Sequence, residues 1–111
     1  MASGLLTGAM TRQRIARLPA DDWRKRHPDF QEPRLSHNLN LVKLLRGIGK
    51  PGGHTPAEVA IAWVLHNPAV TGAIVGARRP DQVRGAVGAA DLQLSPREVG
   101  IVEVFLAKEA A

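Results

Sequence analysis

Arg78 and Arg79 stand side by side in the stretch Val70-Thr71-Gly72-Ala73-Ile74-Val75-Gly76-Ala77-Arg78-Arg79-Pro80-Asp81-Gln82-Val83. A guanidinium carries a planar fork of N–H donors that matches phosphate oxygens, so this pair beside a bend is a candidate anion ligand. Upstream, Val70, Ala73, Ile74 and Val75 form a short apolar run with β preference, which Gly76 ends by permitting a turn. Pro80 suits the first position of a helix, and Val83, Ala86, Val87 and Ala90 follow at helical spacing. The unit reads as strand, tight turn, helix. A turn feeding a helix N-terminus presents unpaired backbone N–H groups and partial positive charge, so the stretch predicts an anion site, most naturally for a phosphate.

Other chemistry is sparse. His27, His37, His54 and His66 lie ten, seventeen and twelve residues apart, without the i, i+4 spacing that puts two imidazoles on one helical face, and read as scattered histidines. There is no tyrosine to act as a phenolic acid, no cysteine nucleophile, no G-x-S-x-G elbow and no P-loop. Gly47-Ile48-Gly49-Lys50-Pro51-Gly52 formally matches G-x-G-x-x-G, but it closes a helix and contains a proline, so it reads as a helix stop. Met1-Ala2-Ser3-Gly4-Leu5-Leu6-Thr7-Gly8 is rich in small residues. On its own it fits a flexible terminus or a backbone that approaches a ligand closely.

Several elements must position these residues. Thr11 to Pro33 is polar and broken by Pro19, Pro28 and Pro33, which predicts a long loop with a short helix around Asp21–Arg26 and Trp23 and Phe30 as anchors. Leu35 to Ile48 predicts a helix with Leu41, Leu45 and Ile48 on one face. Thr55-Pro56-Ala57-Glu58 is a capping box that starts an almost wholly apolar helix through Leu65, ended by Asn67-Pro68. Ser95-Pro96-Arg97-Glu98 repeats the cap and launches a last helix with Val99, Ile101, Val102, Phe105 and Leu106 as its apolar face.

A chain of 111 residues suits a single domain, divided here into a loop segment, 1–33, and helices plus one strand, 34–111. The absence of cysteine leaves a reducing compartment as the default. No apolar run reaches the ~18 residues of a membrane span, and no signal-peptide core is evident, so a cytoplasmic location is expected. Net charge is +5, with ten Lys/Arg against four Asp/Glu in residues 1–50 and five against six in 51–111. The basic half could attract polyanions.

Gly4-Leu5-Leu6-Thr7-Gly8, Asp29-Phe30-Gln31, Thr55 to Leu65 and Ile74 to Val83, in this order and spacing, resemble the C-terminal part of an aldo-keto reductase. The resemblance implies α/β ancestry: the last part of a (β/α)8 TIM barrel, predominantly α-helical here with one or few short strands. A whole barrel takes ~250 residues. It also implies an oxidoreductase lineage that reduces carbonyls with NADPH, and a partial NADP(H) site. By position, Ser3 and Gly4 match the loop against the cofactor's diphosphate, and Gly76 matches a backbone contact after the eighth strand. Arg78 matches the cation on the adenosine 2′-phosphate, Arg79 offers a second cation, and Gln82 matches a residue facing the adenine end.

Departures accompany the match. Gly85 and Ala86 stand where many relatives carry Glu and Asn, and Ala9 where a lysine is common. The family's catalytic Asp, Tyr, Lys and His have no counterparts in this stretch, so no catalytic residue is assigned and the chain is not expected to reduce carbonyls alone. A complementary chain or a second copy could join through open barrel edges. Two other readings remain: a small helical interaction module without cofactor binding, suggested by Gly85 and Ala86, and a basic nucleic-acid-binding helical protein, suggested by the first half.

Overall fold

Both cap motifs form as hydrogen-bonded boxes. Thr55 Oγ1 accepts from the Glu58 amide at 3.2 Å while Glu58 Oε1 accepts from the Thr55 amide at 3.2 Å. Ser95 Oγ and Glu98 Oε1 exchange the same bonds at 3.1 and 2.8 Å. Each box satisfies donors that would otherwise be orphaned, a contribution of about 1 kcal/mol per cap. The computed structural model describes residues 1–110. It holds α1 (Arg12–Ala16), α2 (Arg34–Gly49), α3 (Pro56–Leu65), α4 (Pro80–Val87) and α5 (Pro96–Ala110). Short 3-10 turns cover Ala2–Thr7, Trp23–Arg26, Pro28–Phe30, Lys50–Gly52 and Gly88–Asp91.

α2 and α3 form the central antiparallel pair; α4 packs on α3 and α5 on α2, while α1 packs on the Trp23–Arg26 turn. Their connection depends on Gly49, where an added Cβ would lie 2.5 Å from the His54 carbonyl oxygen and 2.9 Å from Val59 Cγ2. Gly53 follows with φ 73 and closes the turn. These glycines serve a tight helix-to-helix turn, the stop read from the sequence. One apolar cluster joins α2 to α3 and α5 through Leu45, Val59 and Val102, with Leu41, Ile48, Trp63 and Leu106 packed around them. Val59 has no exposed surface at all.

A second cluster corrects the reading of residues 1–33 as a loop. Leu5, Met10, Ile15, Leu18, Phe30 and Leu35 are buried together. α1 appears where no helix was expected, capped by Thr11 Oγ1, which accepts from the Arg14 amide at 3.1 Å. The expected helix around Asp21–Arg26 is a 3-10 turn, Trp23–Arg26. Trp23 is only half covered, with its ring edge-on to His27 and Phe30 at centroid distances of 5.3 and 6.4 Å.

The strand expected over Val70–Val75 does not form: these residues carry no regular secondary structure, and no strand ladder forms among the described residues. A β-ladder requires a neighbour, and none of the described segments supplies one, so Ile74 lies wholly in solvent. The predominantly helical architecture expected otherwise holds. α3 is less enclosed than its composition suggests: Val59, Ile61 and Ala62 are buried, whereas Val64 is exposed. On α5, Val102 is buried while Ile101 lies partly open. The radius of gyration is 14.4 Å, above the ~13 Å of a compact domain of this length. Among the described residues, no helix is long and apolar enough to cross a membrane.

Candidate functional site

The glycine-arginine bend is built by the start of α4. Arg79 takes an extended N-cap conformation, φ −135 and ψ 151, and Pro80 occupies the first helical turn. Gln82 then reaches back: its Oε1 accepts from the Arg78 amide at 2.6 Å and from the Arg79 amide at 3.2 Å. This arrangement corrects one expectation: the Arg78 and Arg79 amides are not left unpaired for a ligand, because the chain's own Gln82 side chain accepts from both. An amide oxygen at N3 is close enough to satisfy orphan donors without any ligand.

The guanidiniums differ. Arg79 Nε donates to Asp81 Oδ1 at 3.2 Å. Arg78 makes no side-chain hydrogen bond or ion pair among the described residues. It lines a shallow cleft of about 530 Å³ with Ala77, Arg79, Pro80, Val83 and Arg84. Arg78, Arg79 and Arg84 face one carboxylate, Asp81, over residues 78–84, so the cleft carries an excess of positive charge. Gly76, which precedes the lining residue Ala77 in sequence, is exposed, with open space where a Cβ would stand.

Ser3 and Gly4 occupy another element, the Ala2–Thr7 turn, which packs on α2 and α3. Ser3 has φ 56 and ψ 38, and Gly4 has φ 93. The Gly4 amide donates to the Met1 carbonyl at 3.1 Å, and Thr7 Oγ1 donates to the Gly4 carbonyl at 2.7 Å. Among the described residues no hydrogen bond joins Ser3 or Gly4 to the 76–82 bend. A larger cleft of about 830 Å³ lies between α3, the Gly88–Asp91 turn and α5, lined by groups such as Leu65, His66, Leu92 and Ser95. It holds none of the arginines, so the 530 Å³ cleft is the better match to anion chemistry despite being smaller.

Two polar contacts went unread in the sequence, the Asp22–Arg24 pair and the His54–Glu58 contact. Asp22 and Arg24 form a two-pronged pair: Arg24 Nη2 donates to Asp22 Oδ2 at 2.7 Å and Nε to Oδ1 at 3.1 Å. Arg24's side chain, helped by its backbone amide, holds the Asp22 carboxyl down at about 2. On α3, partial burial pushes Glu58 up, but the His54 and Thr55 hydrogen bonds outweigh it and leave Glu58 below its ordinary range. A D-x-R spacing at a turn is the only local signal for the first pair, and it is a weak one.

The basic first half is largely engaged within the fold. Arg12, Arg24 and Arg34 pair with Glu32, Asp22 and Asp29. Arg14, Lys25, Arg26 and Arg46 donate to backbone carbonyls. This disposition serves structure.

The model of the aldo/keto reductase family matches residues 1–107. The chain belongs to the aldo/keto reductase family. It is 36% identical over 84 residues to the aldo-keto reductase YhdN of Bacillus subtilis (strain 168), covering 75% of this chain and 25% of that protein. Identity to the probable aldo-keto reductase 1 of Glycine max is 29% over 85 residues, 77% of this chain and 25% of the relative. A putative voltage-gated potassium channel subunit beta of Schizosaccharomyces pombe (strain 972 / ATCC 24843) is 37% identical over 54 residues, 49% of this chain and 16% of that one. The chain thus spans about a quarter of the length of the first curated relatives it matches. Family membership assigns the fold ancestry as part of a TIM barrel and the lineage as oxidoreductase.

Proposed function

We propose that this chain carries the adenosine-phosphate end of an NADP(H) site, with Arg78 holding the 2′-phosphate. The supporting observation is the unengaged Arg78 guanidinium in an electropositive cleft, next to an Arg79 that Asp81 already pairs. A planar donor fork and a dianionic phosphate are complementary in charge and shape. Gly76 admits close approach of the ligand to the backbone, Ser3 and Gly4 serve the diphosphate, and Arg79 adds to the field. Gln82 acts indirectly, by fixing the bend on which both arginines stand.

Bound NADPH supplies a hydride for carbonyl reduction. This chain's own residues bind and orient; with no tyrosine in the 111 residues, it offers no phenolic proton donor. Reduction therefore requires a proton donor from outside these 111 residues, on a complementary stretch of different sequence paired along the open Val70–Val75 segment. Titration with NADPH and NADH, followed through the fluorescence of Trp23 and Trp63, tests the site. Saturable binding that favours NADPH is expected, and flat traces at millimolar nucleotide would overturn it.

An interaction module without cofactor is the second reading. It is favoured by Gly85 and Ala86 and by the exposed apolar surface of Ile74, Val83, Val87 and Val104. Ligand-independent association, with no nucleotide binding, would select it.

A further inference from the structure

The bend at Ser3–Gly4 is held by a residue that the proposed site does not use. Ala2, Ser3 and Gly4 have φ of 49, 56 and 93, the left-handed region that is unfavourable for a non-glycine residue. Such backbone persists only where the surroundings over-determine it. Here the constraint comes from the 3-10 turn Trp23–Arg26: Arg24 Nη1 donates to the Ser3 carbonyl at 3.3 Å. The same nitrogen lies 3.7 Å from where a Cβ on Gly4 would stand.

Arg24 is itself fixed. Its Nε and Nη2 donate to the two carboxylate oxygens of Asp22, and Asp22 Oδ1 also accepts from the Arg24 amide at 3.0 Å. The neighbouring Lys25 Nζ donates to the Leu18 carbonyl at 3.1 Å and Arg26 Nη1 to the Ala20 carbonyl at 3.1 Å, which ties the turn down on its other side. The Ser3 hydroxyl makes no hydrogen bond among the described residues, and Ser3 is exposed. The geometry is that of a clamp: carboxylate on guanidinium, guanidinium on a strained carbonyl, hydroxyl left open.

We propose that Arg24, gripped by Asp22, is a positioning residue that sets the Ser3–Gly4 bend for the diphosphate of the nucleotide. This rests on the NADP(H) reading above, and the experiment separates the two. NADPH carries both the diphosphate and the 2′-phosphate, whereas 2′-AMP carries only the phosphate assigned to Arg78. In the full chain, Arg24→Ala should weaken NADPH binding about tenfold and leave 2′-AMP binding unchanged. Arg24→Lys should fall between, because an ammonium cannot grip both Asp22 oxygens in one plane; it carries the test if Arg24→Ala fails to fold. Hydrogen exchange over residues 4–8 should quicken in both variants while the rest of the chain is unaffected. Equal loss for both ligands, no loss for either, or unaltered exchange would overturn the positioning role. If the wild type binds neither ligand, the nucleotide reading falls and the proposal with it, whereas 2′-AMP binding without an Arg24 effect overturns the proposal alone.

Discussion

Gln82 offers a clean separation between holding the bend and touching a ligand. Gln82→Ala removes the acceptor shared by the Arg78 and Arg79 amides at 2.6 and 3.2 Å. Loss of a side-chain acceptor at a helix start costs about 1 kcal/mol. In a domain of this size that lowers Tm by roughly 4 °C. Gln82→Glu keeps an acceptor in place and adds a negative charge at the helix N-terminus, favourable by ~0.3–1 kcal/mol, so its Tm should equal or exceed the wild type. The same charge opposes a bound phosphate. At an exposed site a unit charge about 4 Å away costs ~1 kcal/mol, so 2′-AMP affinity should fall about fivefold. Thermal melts by circular dichroism and calorimetric titration with 2′-AMP read the two effects separately. If Gln82→Ala melts with the wild type yet loses nucleotide affinity, Gln82 acts on the ligand and the capping argument is refuted.

Three further outcomes follow from the fold. Gly49→Ala sets a Cβ 2.5 Å from the His54 carbonyl and should cost about 3 kcal/mol in urea unfolding, whereas Gly85→Ala, with open space around it, should gain ~0.5–1 kcal/mol. Asp22 titrates at about 2 in the fold against an ordinary value of 3.8, so its stabilisation is complete above pH ~4 and is lost as pH falls through about 2. Asp22→Asn should flatten that part of the acid-unfolding profile. Ile74→Lys places a charge in the exposed 70–75 segment and should shift sedimentation toward monomer if that segment mediates association.

The sequence revealed what is local. Thr55–Glu58 and Ser95–Glu98 signal helix starts because a capping box involves residues three apart, and the Leu35–Ile48 periodicity marks a stripe that one neighbour can cover. α1 was hidden because Ile15 is its only buried residue, and the cluster it joins draws Leu5, Met10, Leu18, Phe30 and Leu35 from irregular spacings. Val70–Val75 has the composition of a strand, but a ladder is a property of two segments, and the second is not in this stretch. At the bend, the arginines were legible and their separation into a paired Arg79 and an unengaged Arg78 was not, since it depends on where Asp81 points. The Gln82 cap had a sequence signal, a Gln at the third helical position, partly concealed by an arginine at the N-cap.

Calorimetric titration of the 111-residue chain with NADPH, run in parallel on the wild type, Arg78→Ala and Arg79→Ala, bears most directly on the proposed site. The account predicts saturable wild-type binding, a loss of about tenfold in Arg78→Ala and a smaller loss in Arg79→Ala, whose guanidinium Asp81 already holds. Absence of wild-type binding, or a greater loss in Arg79→Ala than in Arg78→Ala, would contradict it.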